Sequence, residues 1–310
     1  MKVCFVGTGS IGKRHIRNIK ELSVEDGFAL EVHLLRSSHK ELDHDIKDLI
    51  CKEIYSVMDV TERYDAIFIT NPTYLHYETL IALKDKAQFF FIEKPVFDDW
   101  RVDLKGLQFP KDNVYYVACP LRYTKVLRRA KDIIDESKVI SIRSISSSYL
   151  PDWRPNMDYR QTYSAHKDQG GGVKIDLIHE WDYLLHLFGF PDKIFQFYGK
   201  YSDLEINSED LAVYIGQYHD KLLELHLDYC GRQIRRSCEI MTNNDIYLFD
   251  IVNSCIVKNG ILYEKYEEMP NEKYLEELRF FLRLMEGRIE NTNDIFHAIE
   301  TMKIASGDTI

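Results

Sequence analysis

Lys2-Val3-Cys4-Phe5-Val6-Gly7-Thr8-Gly9-Ser10-Ile11-Gly12 opens the chain, and its reading decides the fold. Val3 to Val6 is continuously apolar, the pattern of a strand buried on both faces of a parallel sheet. Gly7, Gly9 and Gly12 follow at GxGxxG spacing. Ile11, Ile16, Ile19 and Leu22 then recur at helical spacing. A bare GxGxxG match is weak. Directly behind a buried strand and opening a helix, it becomes the signature of a dinucleotide pyrophosphate cradle. Gly7 permits the tight turn, Gly9 lets backbone approach a phosphate, and Gly12 lets the helix close on the strand. The helix N–H groups and dipole then hold the anion. Thr8, Ser10 and Ile11 belong to the same expected cradle.

Outward from this unit, residues 30–35, 66–70, 89–92 and 114–118 read as further strands, with a helix near 74–83. The alternation predicts an α/β fold whose residues 1–120 form a doubly wound parallel sheet, a Rossmann domain. After Pro120 the pattern changes. Residues 127–134 read as a helix, 139–149 as a strand, and 150–169 as a loop rich in Pro, Asp, Arg and Tyr. Gly170, Gly171 and Gly172 open a helix to about Phe188, which Gly189 and Pro191 stop. Strands are expected at 194–198, 211–218, 222–229, 235–241 and 246–249, and helices at 273–286 and 294–305. Residues 121–310 are therefore expected to form one α+β domain on a large, mostly antiparallel, open-faced sheet.

The length of 310 residues supports two domains, since single cores rarely grow past about 250 residues. A net charge of −10 argues against a nucleic-acid or membrane-surface partner, either of which wants a basic face. The six cysteines form no CxxC pair and read as reduced, buried thiols of a cytoplasmic protein. Only Val3 to Gly7 separate the leading Met1 and Lys2 from the glycine turn, too short for a signal peptide. No apolar run reaches the roughly 18 residues of a membrane span.

The end of the second strand bears on the cofactor. An acid there binds the ribose 2′-hydroxyl of NAD, whereas an arginine accommodates the 2′-phosphate of NADP. The chain has Leu35-Arg36-Ser37-Ser38, so Arg36 and Ser37 point to NADP as the preferred cofactor, with NAD as the alternative.

Several motifs then coincide in order. They are the Gly7 to Gly12 fingerprint, Thr70-Asn71-Pro72 with His76, Glu93-Lys94-Pro95, Leu121-Arg122-Tyr123, and the 170–172 glycines followed by Asp176 and His179. Together they resemble the Gfo/Idh/MocA (glucose–fructose oxidoreductase / inositol dehydrogenase) oxidoreductases across essentially the whole chain. The resemblance implies that Thr70, Asn71, Pro72, His76 and Glu93 lie along the nicotinamide half of the cofactor. Residues 149–155 and 176–182 resemble a branch accompanying bacterial surface-sugar biosynthesis, including nonulosonic acids such as legionaminic acid. That likeness implies a sugar or sugar-nucleotide substrate. The chain departs from many members in placing His179 three residues after Asp176, with Glu180 in the fourth place. On a helix both lie on one face, and which of them meets the substrate stays open.

Hydride transfer between an alcohol carbon and nicotinamide needs a group that exchanges the hydroxyl proton. Lys94, at the carboxyl end of the strand over 89–92, is the first candidate. His179 is the second, as proton relay or substrate ligand. Asp176 orients its ring or holds substrate hydroxyls directly. Arg122, Tyr149, Trp153, Arg154, Tyr163 and Glu180 are candidate substrate residues, with Tyr159 and Arg160 in the same loop. A solvated basic loop is the plain alternative. No metal site is expected: His179-Glu180 begins like HExxH, but Tyr183 occupies the place of the second histidine. Neither a nucleophile elbow nor a Walker loop is present. Three readings stay open: an NAD(P)-dependent sugar oxidoreductase, a catalytically silent NADP(H)-binding regulatory or assembly protein, and an oxidoreductase that keeps and recycles its own NADP through both half-reactions. Tyr214, Tyr218, Leu223 and Leu225 suggest a homodimer or homotetramer formed through the open sheet face.

Overall fold

A computed structural model describes residues 1–104 and 108–307. The chain divides into two compact units, Met1–Pro120 with Asn271–Ile299, and Leu121–Pro270 with Glu300–Ile310.

The first unit is built on β1 (Lys2–Val6), β2 (Glu31–Leu35), β3 (Lys52–Ile54), β4 (Tyr64–Ile69), β5 (Ala87–Ile92) and β6 (Val114–Val117). All adjacent pairs run parallel, in the order β3-β2-β1-β4-β5-β6. This is the order of a doubly wound dinucleotide-binding sheet, reversing direction between β1 and β4. The strands are apolar because both faces are covered. Phe5 stacks on Phe68 at 4.4 Å, and Val3, Phe5, Phe68, Phe90 and Phe91 are fully buried. Helix α1 (Ser10–Glu25) lays Gly12, His15, Ile16, Ile19 and Leu22 on the sheet. The short α2 (His44–Lys47) precedes β3, and α3 (His76–Leu83) follows β4.

Residues 271–299 belong to this first unit, not to the domain expected over 121–310. The reason lies in α7 (Glu272–Met285), whose Leu278, Phe281 and Leu284 are buried. Phe281 packs edge-on to Phe68 and Phe91 at 5.6 and 5.3 Å. The fully buried Glu277 accepts hydrogen bonds from the Tyr116 hydroxyl and the Cys119 amide. Asn293 ties to both the amide and the carbonyl of Val117, at 2.9 and 2.8 Å.

The second unit carries α4 (Lys125–Asp135), β7 (Val139–Tyr149), α5 (Val173–Asp176), α6 (Ile178–Phe188) and β8 (Lys193–Gly199). It continues through β9 (Leu211–Gln217), β10 (Leu222–Asp228), β11 (Cys230–Thr242), β12 (Ile246–Asp250), β13 (Cys255–Lys258) and β14 (Ile261–Lys265). These strands form one eight-stranded sheet ordered β14-β13-β12-β11-β7-β10-β9-β8. Every pair is antiparallel except β7 with β10. The last helix, α8 (Ile295–Ser306), ends the described chain.

One face of the large sheet is packed and the other is open. Tyr214, Tyr218, Leu223 and Leu225, expected on the open face, are buried on the packed one. Trp181 of α6 meets Tyr214 edge-on at 5.2 Å, and the Tyr183 hydroxyl pairs with Ser144 at 2.6 Å. The open face carries Phe195 and Phe197 opposite Ile215 and Val213. All six cysteines are free. Cys4, Cys119 and Cys238 are buried as expected, but Cys51 is exposed and Cys230 and Cys255 are only partly covered. Among the described residues no helix is long and apolar enough to cross a membrane.

Candidate active site

The glycine loop joins β1 to α1 at the point where the strand order reverses. Gly7 sits at φ +94°, and a Cβ there would lie 2.8 Å from the Asn71 backbone. A Cβ on Gly12 would lie 2.7 Å from both the Gly7 carbonyl and the Thr70 hydroxyl. Both glycines are required by their neighbours. At Gly9 a Cβ would meet nothing within 4 Å, so that position is open on the side facing away from the protein. Gly9 caps α1 without any side-chain hydrogen bond, and no acidic residue stands in the first turn. The first-turn amides therefore lack intrahelical partners and offer their N–H groups to an anion.

The residues expected around this loop divide into those that face outward and those that brace it. Thr70 is buried, and its hydroxyl donates to the carbonyls of Val6 and Gly7 at 2.9 and 3.1 Å. It supports the turn from beneath. His76, also expected to touch the cofactor, is buried, with Nδ1 3.1 Å from the Val96 carbonyl and Nε2 2.9 Å from that of Asn71. A neutral ring has one N–H for two carbonyls. Burial pushes the His76 pKa down, and the two carbonyls offset part of that effect. Asn71 donates to Thr79 at 2.9 Å, whereas its Oδ1 is buried and unpartnered. Pro72, Ser37 and Ser38 lie at the surface.

Arg36 departs from expectation. Its side chain is 7% exposed and its Nε lies 2.9 Å from Glu53 Oε2. Its Nη2 donates to the Lys40 carbonyl at 2.6 Å, and its guanidinium lies 5.7 Å from the centre of the Tyr55 ring. The cation expected to await a phosphate is paired with a carboxylate of the neighbouring strand.

Beyond β5, Glu93 and Lys94 form a braced turn. Glu93 Oε1 lies 2.6 Å from Nε2 of the fully buried His15 on α1. Its Oε2 accepts from the Lys94 amide at 3.3 Å. His76 holds Val96 on the other side of the turn. Lys94 is half-buried at the carboxyl end of β5, the edge at which open α/β sheets bind ligands.

In the second unit the expected continuous helix is broken. Gly172 adopts φ +128°, and a Cβ there would lie 2.5 Å from the Glu209 carboxylate. Leu177, at φ −96° and ψ 24°, then separates α5 from α6. Asp176 ends the first piece and accepts a hydrogen bond from the Tyr229 hydroxyl at 2.5 Å. Burial, then the Asp176 charge, pushes the Tyr229 phenol well above its ordinary range. The Tyr163 hydroxyl also reaches Asp176. Trp153 meets Tyr229 edge-on at 5.2 Å and donates to Ser148, while the Arg154 guanidinium lies 5.9 Å from the centre of the Tyr163 ring. Asp176, Tyr163, Tyr229, Trp153 and Arg154 thus form one cluster. Tyr149 stands apart beneath the Arg232 guanidinium at 3.7 Å. Arg160 pairs with Asp158 and Glu205. His179 opens α6 partly exposed.

Two expected substrate residues turn inward. Glu180 is 0% exposed, with Oε1 2.9 Å from Nε of Arg236 on β11. Its burial raises the carboxyl pKa despite that arginine. Because the break at Leu177 resets the helical phase, Glu180 faces the sheet. Arg122 is likewise buried and grips Asp182 with two parallel bonds of 2.8 Å.

Comparison with known proteins agrees with the first unit's geometry. Residues 1–103 match the family described as "Oxidoreductase family, NAD-binding Rossmann fold", GFO_IDH_MocA. This segment belongs to the Gfo/Idh/MocA oxidoreductase family. The chain is also 25% identical over 197 residues to the uncharacterized oxidoreductase YrbE of Bacillus subtilis (strain 168). That match covers 59% of this chain and 52% of the relative, so it spans about half of the relative's length. Among solved structures, UDP-N-acetylglucosamine 3-dehydrogenase GnnA from Acidithiobacillus ferrooxidans superposes with a TM-score of 0.78 at 16% identity. That alignment covers 99% of this chain and 95% of the other. The WlbA dehydrogenase of Bordetella pertussis, solved with NADH and UDP-GlcNAcA, gives 0.76 at 17% identity over 99% and 94% of the two chains. A levoglucosan dehydrogenase solved with NADH gives 0.84 at 15% identity over 99% and 95%. At these identities the likeness establishes a common fold.

Four residues of the two units were not among those the sequence pointed to: Glu53, His15, Asp182 and Tyr229. Glu53 lies in a three-residue strand too short for a periodic signal, and His15 and Asp182 lie within helices as isolated polar positions. Tyr229 was legible only as the end of a strand.

Proposed function

We propose that the chain is an NAD(P)-dependent oxidoreductase acting on a CH–OH or C=O group of a sugar or sugar-nucleotide derivative. The observation that carries this reading is the open Gly9 at the uncapped start of α1, placed where the parallel sheet reverses order. The donor set fits a dinucleotide. Backbone amides of Ser10, Ile11 and Gly12 would hold the pyrophosphate. The buried, unpartnered Oδ1 of Asn71 offers an acceptor at the end of β4. When bound, nicotinamide supplies or accepts the hydride.

The protein's own part is binding and proton exchange. Lys94 takes the hydroxyl proton on oxidation and returns it on reduction, its Nζ cycling between ammonium and amine. Glu93, fixed by His15, accepts from the Lys94 amide and so sets the backbone from which that side chain projects. In the second unit, Asp176 offers a carboxylate to substrate hydroxyls, aligned by Tyr229 and Tyr163. His179 serves as relay or ligand, and Trp153 with Arg154 offers an aromatic face and a cation to the sugar. The solved neighbours, a UDP-N-acetylglucosamine 3-dehydrogenase, a dehydrogenase bound to NADH and UDP-GlcNAcA, and a levoglucosan dehydrogenase bound to NADH and levoglucosan, support a substrate of this class. We expect a homo-oligomer.

The reading is tested with Lys94→Ala against a panel of UDP-sugars and acidic sugars. Turnover is expected to fall by at least about a hundredfold while NADH affinity, followed by fluorescence, changes no more than a few-fold. Unchanged turnover would remove Lys94 from its role. No nucleotide binding by the parent would remove the activity.

A further inference from the structure

The geometry points to Glu53 as the residue that sets nucleotide preference, selecting NAD(H) over NADP(H) by neutralising Arg36. The inference rests on the reading that the first unit binds a nicotinamide dinucleotide.

A 2′-phosphate is recognised best by a guanidinium whose fork is free to make two parallel charge-assisted bonds. At the end of β2 the guanidinium is not free. Its Nε lies 2.9 Å from a Glu53 carboxylate oxygen, an ion-pair contact without hydrogen-bond alignment, its Nη2 is bonded to the Lys40 carbonyl at 2.6 Å, and the side chain is 7% exposed. Glu53 is itself held in place, because the same Oε2 accepts from the Tyr55 hydroxyl at 2.9 Å. The β2–β3 ladder sets the pair, with Leu34 opposite Glu53, Leu35 opposite Ile54, and the Arg36 amide bonded to the Ile54 carbonyl at 2.9 Å.

The consequence is electrostatic. The glutamate's charge offsets the arginine's, so a dianionic phosphate arriving there meets the Glu53 carboxylate and an Arg36 already paired with it. A ribose diol meets the same carboxylate as an acceptor, the partner an NAD-binding strand end ordinarily supplies from β2. Here that acid comes from β3, one strand over, and its side chain is 28% exposed. The NADP preference expected from Arg36 is thereby reversed.

The test measures dissociation constants for NADH and NADPH by fluorescence at fixed ionic strength, for the parent, Glu53→Gln, and Glu53→Gln with Arg36→Ala. The parent is expected to bind NADH at least about tenfold tighter than NADPH, the scale of a charge-assisted contact. Glu53→Gln keeps the shape, removes the charge and releases Arg36. It should tighten NADPH by about tenfold and weaken NADH. The double variant should lose the NADPH gain. Melting curves establish that each variant is folded, and the parent's own ratio needs no variant. A parent that binds NADPH as tightly as NADH overturns the assignment, as does a folded Glu53→Gln with an unchanged ratio, and both leave the oxidoreductase reading standing. A folded parent that binds neither nucleotide overturns both.

Discussion

Gly9 and Gly12 are three residues apart, yet a methyl group added to each meets different surroundings. At Gly12 it would press on the Gly7 carbonyl and the Thr70 hydroxyl, both 2.7 Å away and both fixed by hydrogen bonds. Overpacking against fixed groups costs about 1–3 kcal/mol, so Gly12→Ala should melt earlier whether or not nucleotide is present. At Gly9 the methyl meets open space, and the backbone, at φ −64° and ψ 179°, suits alanine. Gly9→Ala should therefore change stability by no more than about 1 kcal/mol, the stiffer unfolded chain being offset by alanine's poorer fit at the helix N-cap. The same methyl stands where a phosphate must approach the amides, so NADH affinity should fall about tenfold or more. Melting curves and nucleotide titrations on the two variants separate these effects. A Gly9 variant with parental affinity would show that nothing docks against that loop. The motif announced the three glycines but not the direction of the polar side chains around them. The family resemblance implied a place for Thr70 and His76 along the cofactor, and a resemblance carries no side-chain direction. Only the folded chain shows their polar atoms turned toward backbone carbonyls.

Elements with a strong period were legible in the sequence, and short or broken ones were not. β1, β4 and β5 announce themselves as apolar runs, whereas β3 has three residues, two of them charged. Missing β3 meant missing Glu53, and with it the neutralisation of Arg36. The helix after the glycines shows the second kind of failure. Spacing alone places Asp176, His179 and Glu180 on one face, but the break at Leu177 rotates α6 and turns Glu180 onto the sheet. That burial has a measurable sign. The folded-state pKa of Glu180 is raised above its unfolded value, burial being the largest cause and Arg236 opposing it. Its contribution is thus most favourable below the unfolded pKa, near 4.5, and is lost as pH rises through the raised folded value. Arg236 keeps 29% exposure, so water can solvate it if its partner loses charge. Glu180→Gln should therefore gain stability relative to the parent as pH rises above the unfolded value of 4.5, read from denaturant midpoints at each pH. A difference between the two proteins that is flat in pH would mean that Glu180 does not titrate differently in the folded state.

At the scale of the molecule, two features were beyond the reach of local pattern. The first is the return of residues 271–299 to the first unit, which depends on Phe281 and Glu277 meeting strands more than 150 positions earlier in the chain (the Glu277–Tyr116 separation is 161). The second is which face of the large sheet is open. β9 reads Leu-Ala-Val-Tyr-Ile-Gly-Gln, apolar on both faces, so alternation does not say which set the helices cover. The structure buries Tyr214, Leu223 and Leu225, and leaves Phe195 at 56% and Phe197 at 72% exposure. Near the middle of the same open face, Arg143 lies 3.6 Å from Glu224 and 3.8 Å from Glu239, so the charges there are matched locally. Large exposed aromatics at one edge of a face whose centre is internally compensated suit a second copy of the chain, since a self-complementary interface brings identical charges together and needs them neutralised beforehand. The parent should then sediment and scatter as a homo-oligomer. Phe197→Glu, placing an uncompensated charge on each copy at one edge of the face, should weaken association by at least about a hundredfold while leaving the melting of the dissociated chain within about 0.5 kcal/mol of a surface substitution. Concentration-dependent light scattering reads the first effect and denaturant unfolding at low concentration the second. A parent that remains monomeric at high concentration, or a Phe197→Glu variant that stays assembled, would place the contact elsewhere.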